Sequence, residues 1–195
     1  MLTGMRLVIT AVLVAALFVE TAQSAEDEYA AVHDTLTSCA ACHGENGAST
    51  QAQYPILAGQ HLYYLYLQLK DFKAGRRENE IMQPIAAALE KDQMMSIAKY
   101  FSEQQWPDIA FQAEPEQIKR GQQAVAAGQC VQCHLGGFEG ASGVPRLAGA
   151  YPEYLKKTML DFKNGVRKNA PDKSSLLEAF SDGDIDALAA YLGQM

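Results

Sequence analysis

Cys39-Ala40-Ala41-Cys42-His43 puts two thiols and an imidazole within one helical turn. Positions i, i+3 and i+4 of a helix share a face. Both sulfurs can therefore reach the vinyl edges of one porphyrin while the histidine points at its iron, which is the attachment signature of a c-type haem. The pattern returns as Cys130-Val131-Gln132-Cys133-His134, and the two copies use all four cysteines of the 195-residue chain. With average residue usage, one such pentapeptide in a chain this long is a roughly one-in-a-thousand accident. A redox CxxC asks for a βαβ context that neither copy has. A zinc site asks for a fourth ligand, and the adjacent Cys-His pair is tighter than zinc-finger spacing. The motifs thus predict two covalently bound haem c groups.

The copies lie 91 residues apart and the likeness runs past them. Pro55-Ile56-Leu57-Ala58-Gly59 answers Pro145-Arg146-Leu147-Ala148-Gly149. Leu69-Lys70-Asp71-Phe72-Lys73-Ala74-Gly75 answers Leu160-Asp161-Phe162-Lys163-Asn164-Gly165. Ile97-Ala98-Lys99-Tyr100-Phe101 answers Leu188-Ala189-Ala190-Tyr191-Leu192. Such self-similarity marks a duplicated unit. No segment sustains period-two alternation, whereas residues 29–36, 61–72, 92–101, 115–127, 151–162 and 184–192 read as helices. Gly75 and Gly165 fit C-caps. Gly121 is expected to let its helix approach Tyr191 closely, with Ala30 as its counterpart in the first unit. The expected fold class is all-α, with domains at 26–103 and 115–195 joined by a linker at 104–114 that contains Trp106-Pro107. Units of about 80 residues bury little core alone, so the haem-free chain is not expected to fold.

Residues 1–25 read as a cleavable secretory signal: a positive start to Arg6, an apolar run from Leu7 to Val19, and small residues Ala22, Ser24 and Ala25 at the cleavage site. The run is short for a membrane span, so processing should leave no transmembrane anchor and release a periplasmic protein. The formal net charge is −7. Residues 26–104 carry 11 acidic and 6 basic side chains; residues 116–195 carry 9 of each. An acidic surface argues against nucleic acid and suits electrostatic docking to a basic redox partner.

Together these motifs resemble the class I cytochromes c and, in tandem, the two-haem cytochrome c4 family, over essentially the whole mature chain. The resemblance implies that His43 and His134 are proximal iron ligands, oriented by the carbonyls of Pro55 and Pro145, the latter after a one-residue shift in register. It implies Met82 as the sixth ligand of the first iron, over Met94 and Met95, which sit in the closing helix. Met/His ligation raises the reduction potential. In the second unit, counting back from Tyr191, Lys173 holds the methionine's place, and that loop contains no methionine. Three arrangements are open there: a neutral Lys173 amine on the iron, an open or water-bound iron, or another side chain such as Met159 or Asn169. Arg76, Arg77 and Arg167 are candidate partners of the haem propionates. Some of Tyr63, Tyr64 and Tyr66 are expected to face the other domain, and His33 and His61 read as surface residues rather than ligands.

The family implies a carrier of single electrons between a membrane respiratory complex and a terminal oxidase or other acceptor. It equally accommodates an electron-accepting subunit of a dehydrogenase, such as a sulfide-oxidising flavocytochrome. The rival is a haem enzyme or small-ligand-binding protein working at an open second iron. Two-haem thiosulfate dehydrogenases resemble that scheme, but their catalytic haem carries a cysteine ligand and no spare cysteine exists here.

Overall fold

The computed structural model describes residues 28–195; the expected signal segment 1–25 lies outside the described residues. Among them the chain is helical, with two isolated β-bridges and no strand. The first unit holds α1 (His33–His43), α2 (Leu62–Lys73), α3 (Met82–Ala87) and α4 (Lys91–Ser102); the second holds α5 (Pro115–Gly128), α6 (Val131–His134), α7 (Pro152–Lys163), α8 (Pro171–Leu177) and α9 (Asp182–Gly193). Elements match the expected helices to within a residue or two, except at the first. There a 3₁₀ turn (Ala30–Val32) runs into α1, which carries the first motif on its last turn. In the second unit Gln129 takes a left-handed conformation, φ 50°, so the second motif opens a separate short helix.

Each unit has its own core. Val32, Leu36, Met94, Ile97 and Phe101 are buried in the first, and Phe138, Leu155, Ala189 and Leu192 in the second. The duplication was repacked by a volume exchange. Phe101 in the first core has Leu192 as its counterpart, while Gly47 is answered by Phe138. Backbone hydrogen bonds fix that register: Leu57 N and Ala58 N donate to Gly47 O, and Leu147 N and Ala148 N donate to Phe138 O. A Cβ on Gly47 would lie 2.6 Å from the Phe101 ring. One large ring fills each core, delivered from opposite sides of the same space.

The two ends of each unit close differently. At Gly121 an added Cβ would fall 2.5 Å from the Tyr191 Cβ and 2.6 Å from the Ala187 carbonyl oxygen, so α5 and α9 touch through backbone, as the sequence predicts. Ala30 does not repeat this contact: it is exposed. There Tyr29 packs edge-on against Tyr100, ring centroids 5.2 Å apart, an aromatic pair taking the place of a close helix crossing.

A near-twofold relation joins the units. His61 Nε2 lies 2.7 Å from Glu139 O, and its counterpart Tyr151 donates from its hydroxyl to Ser49 O at 2.8 Å. Gln60, buried, donates to Arg146 O at 3.0 Å and accepts from Arg146 N at 2.9 Å. His61 therefore bridges the units rather than facing solvent alone, whereas His33 is exposed. Tyr64 faces the partner unit, Tyr66 packs on the first core and Tyr63 is exposed. Trp106 lies against both Gly59 and Gly149, where added Cβ atoms would come 2.9 Å from its backbone nitrogen and 3.1 Å from Nε1. The Arg146 guanidinium covers its ring at 4.7 Å.

Candidate functional site: a shared haem cavity

A single cavity of about 940 Å³ runs through both units. All four cysteines, His43 and His134 line it, and its walls are mostly apolar. Each motif histidine is held the same way: Nδ1 lies 2.9 Å from Pro55 O in the first unit and 3.0 Å from Pro145 O in the second. Nδ1–H donates to that carbonyl, which leaves the Nε2 lone pair facing the cavity. Burial holds the His43 pKa below its ordinary value; the Pro55 carbonyl pulls the other way and the Arg77 charge adds to the depression. His134 is lowered likewise by burial, against Pro145 and with the Lys173 charge. Both imidazoles are thus neutral near pH 7, the form in which they bind metal. Burial raises the thiol pKa of Cys39 and Cys130. Among the described residues no cluster of three His, Cys, Asp or Glu side chains could hold a bare metal ion.

Met82 opens α3 and lines the cavity, its backbone N–H capped by Asn79 Oδ1 at 2.8 Å. Met94 is buried in the first core. In the second unit Lys173, on α8, lines the cavity, and Met159 both lines it and packs on the second core. Asn169 is committed elsewhere: its amide donates to Asp71 Oδ2 at 2.7 Å and Gln68 Oε1 at 3.2 Å across the unit boundary. It is therefore not free to turn towards an iron.

Of the three arginines, Arg76 is half-exposed and pairs with Asp71 at 2.8 Å, so it is set apart from the cavity pair. Arg77 donates to Gln68 Oε1 and to Tyr154 OH, both at 2.9 Å. Arg167 donates to Asn169 Oδ1 at 2.9 Å, Gln68 Oε1 at 2.7 Å and Tyr64 OH at 3.4 Å. Each also lies over a phenylalanine of its own unit, Phe72 and Phe162 respectively. No carboxylate forms an ion pair with either among the described residues, although Arg167 is only 6% exposed. A buried and a part-buried cation on the cavity wall, each hydrogen-bonded to neutral side chains, fit a ligand that brings its own carboxylates. The thiols, neutral imidazoles, apolar walls and unmatched guanidinium groups together fit two porphyrins with their propionates.

Gln60, Gln68 and Tyr154 escaped the sequence reading. Tyr154 had a signal, since it is the counterpart of Tyr64 in the repeat. Its phenol is pushed up by burial but pulled down further by the Arg77 and Arg167 charges, to about 8.

Residues 30–111 match the cytochrome c family, and residues 116–192 match the family described as cytochrome c oxidase, cbb3-type, subunit III. The cytochrome c4 of Thiocapsa roseopersicina is 34% identical over 168 residues, covering 79% of this chain and 85% of that protein. This chain belongs to the cytochrome c4 family. The crystal structure of reduced recombinant cytochrome c4 from Pseudomonas stutzeri superposes with a TM-score of 0.77 at 31% identity, covering 85% of this chain and 97% of that one. A thiosulfate dehydrogenase electron acceptor of Stutzerimonas stutzeri is also 34% identical, over 81% of this chain and 79% of its own length. As a member of this family, the chain is built of two cytochrome c domains and carries two covalently bound haem c groups.

Proposed function

We propose that this cytochrome c4 relative is a periplasmic carrier that passes single electrons between redox proteins through two haems. One observation supports this above the others: both motif histidines open into one cavity, so the two cofactors sit side by side across a hydrogen-bonded domain boundary. In this reading Cys39, Cys42, Cys130 and Cys133 form the thioether links, and His43 and His134 are the proximal ligands, oriented by Pro55 and Pro145. Met82 is the sixth ligand of the first iron, and Arg77 and Arg167 neutralise propionates. The haems supply one-electron chemistry; the chain fixes their positions, excludes water and tunes their potentials. The domains run over 26–103 and 115–195 with 104–114 between them, after removal of the signal segment 1–25. Among the described residues no helix is long and apolar enough to cross a membrane.

The partner is a membrane respiratory complex, a terminal oxidase or a dehydrogenase. Likeness to an electron acceptor of thiosulfate dehydrogenase supports the last. The test uses holoprotein from a host that matures c-type haem. Two haems per chain, two one-electron waves in a redox titration, and no reduction by thiosulfate unless a dehydrogenase is added are the expected results. Met82→Ala should lower the potential of one wave and open one iron to carbon monoxide. Steady turnover of thiosulfate by the protein alone would replace the carrier with an enzyme.

A further inference from the structure

The second haem lacks the expected methionine, and the fold shows what stands in its place. The repeat runs 90 residues out of step at Arg77 and Arg167, but 91 by the end of α3 and α8. Lys73 Nζ donates to Leu89 O at 2.5 Å, and Lys163 Nζ repeats the bond to Phe180 O at 2.8 Å. Ile85 and Leu176, also 91 apart, both line the cavity and are 42% and 43% exposed. Three residues earlier, on the same helical face, stand Met82 and Lys173.

The surroundings of Lys173 separate it from an ordinary surface lysine. Lys156, Lys157 and Lys163 of the same domain each hold a carboxylate at 2.5–2.7 Å, while Lys119 and Lys168, which hold none among the described residues, are exposed and do not line the cavity. The nearest carboxylate to Lys173 Nζ is Asp172, at 3.8 Å, and among the described residues the amine donates no hydrogen bond. Its side chain is 34% exposed and borders the cavity alongside Leu176, Leu177 and Phe180. The competitors have other work. Asn169 is hydrogen-bonded across the domain boundary, and in the 90-residue register of Asp71 and Asp161 Met159 takes the place of Leu69, which packs on the first core as Met159 packs on the second.

We infer that Lys173 is the sixth ligand of the second haem iron, so that the two centres of one carrier differ as His/Met and His/Lys. The inference rests on the two-haem reading above. Coordination uses the lone pair of the neutral amine, and the displaced proton goes to solvent. An amine is a harder donor than a thioether and favours Fe(III), which places the second haem below the first in potential and directs the stored electron to the first domain.

Electron paramagnetic resonance of the oxidised holoprotein tests this directly. Both haems should be low-spin in the native chain. Lys173→Arg keeps the charge and the length but cannot coordinate, because guanidinium does not lose its proton. It should turn one haem of two high-spin and let azide bind one iron per chain. Lys173→Met should restore a low-spin centre of higher potential. One high-spin haem in the native protein would mean an open iron and would overturn the inference, as would a fully low-spin Lys173→Arg protein. The native spectrum stands even if a variant fails to accumulate. A haem count below two per chain would instead sink the two-haem reading itself.

Discussion

Arg77 and Arg167 meet as an antiparallel backbone bridge at the boundary between the domains, and each reaches past the other to a tyrosine of the opposite unit. In the proposed function this pair faces the negative edges of both haems. On that reading one structural element would join domain docking to cofactor electrostatics.

Replacing Arg167 with glutamine should lower the potential of a haem, because removing a buried cation beside a propionate favours the ferric charge. A hydrogen bond to a charged group contributes about 1.5–3 kcal/mol, so a loss of domain cohesion should accompany the shift. Spectroelectrochemistry reads the first effect and denaturant unfolding the second. Lys168→Gln, at an exposed lysine that does not line the cavity, should leave the potentials unchanged.

Gln60 satisfies both backbone groups of Arg146. Gln60→Leu would leave that N–H and carbonyl buried without partners, at a cost of about 1–3 kcal/mol for each unsatisfied group. The loss falls on the interface rather than on either core. Thermal unfolding followed by haem absorbance should then separate into two steps.

Gly121→Val should be the most damaging single change in the second domain. Overpacking costs about 1–3 kcal/mol where neighbours can shift; here the obstacles include the α9 backbone at Ala187. Lower yield and a lowered melting temperature should show it. Ala30→Val, at the exposed counterpart, should be nearly silent.

The start of α9 sets an acid limit. Asp184 accepts from Ser181 Oγ at 2.5 Å and from Ser181 N at 2.9 Å, and Arg120 Nε donates to it at 2.8 Å. Those bonds, the Ser181 hydroxyl first, hold its pKa at about 2, below the ordinary carboxylate value. A depressed folded-state pKa contributes stability that is complete above the ordinary value and is lost as pH falls towards 2. The second domain should therefore loosen between about pH 4 and 2 by this route. Ser181→Ala should remove about 1 kcal/mol of cap stability and shift the acid transition upward, measured by circular dichroism across an acid titration.

The cofactors, the duplication and the longer helices after the first were legible because each has a local signature: a pentapeptide, a period and a spacing; the short helices α3, α6 and α8 were too brief to show one. The linker was less legible. Trp106-Pro107 reads as a break between helices, yet Trp106 packs against both domains, a contact fixed by the glycines at 59 and 149 far away in sequence. Arg77 and Arg167 could be named but not distinguished from Arg76, since only the fold shows which guanidinium groups turn inward. Gln60 and Gln68 carried no signal at all, because their partners come from the opposite domain. At Lys173 both the missing methionine and the lysine in its place were legible by counting back from Tyr191, and the Lys73 and Lys163 bonds to the residues after α3 and α8 repeat the same register.

Trp106 is the only tryptophan of the chain, and it borders the cavity while touching the Pro-x-Leu-Ala-Gly loops of both domains. Porphyrins absorb where indole emits, so its light should be extinguished by energy transfer in the docked protein. Any parting of the halves, on unfolding or against a partner, would brighten the sample. The molecule thus carries its own optical gauge of how far the domains stand apart, with no label required.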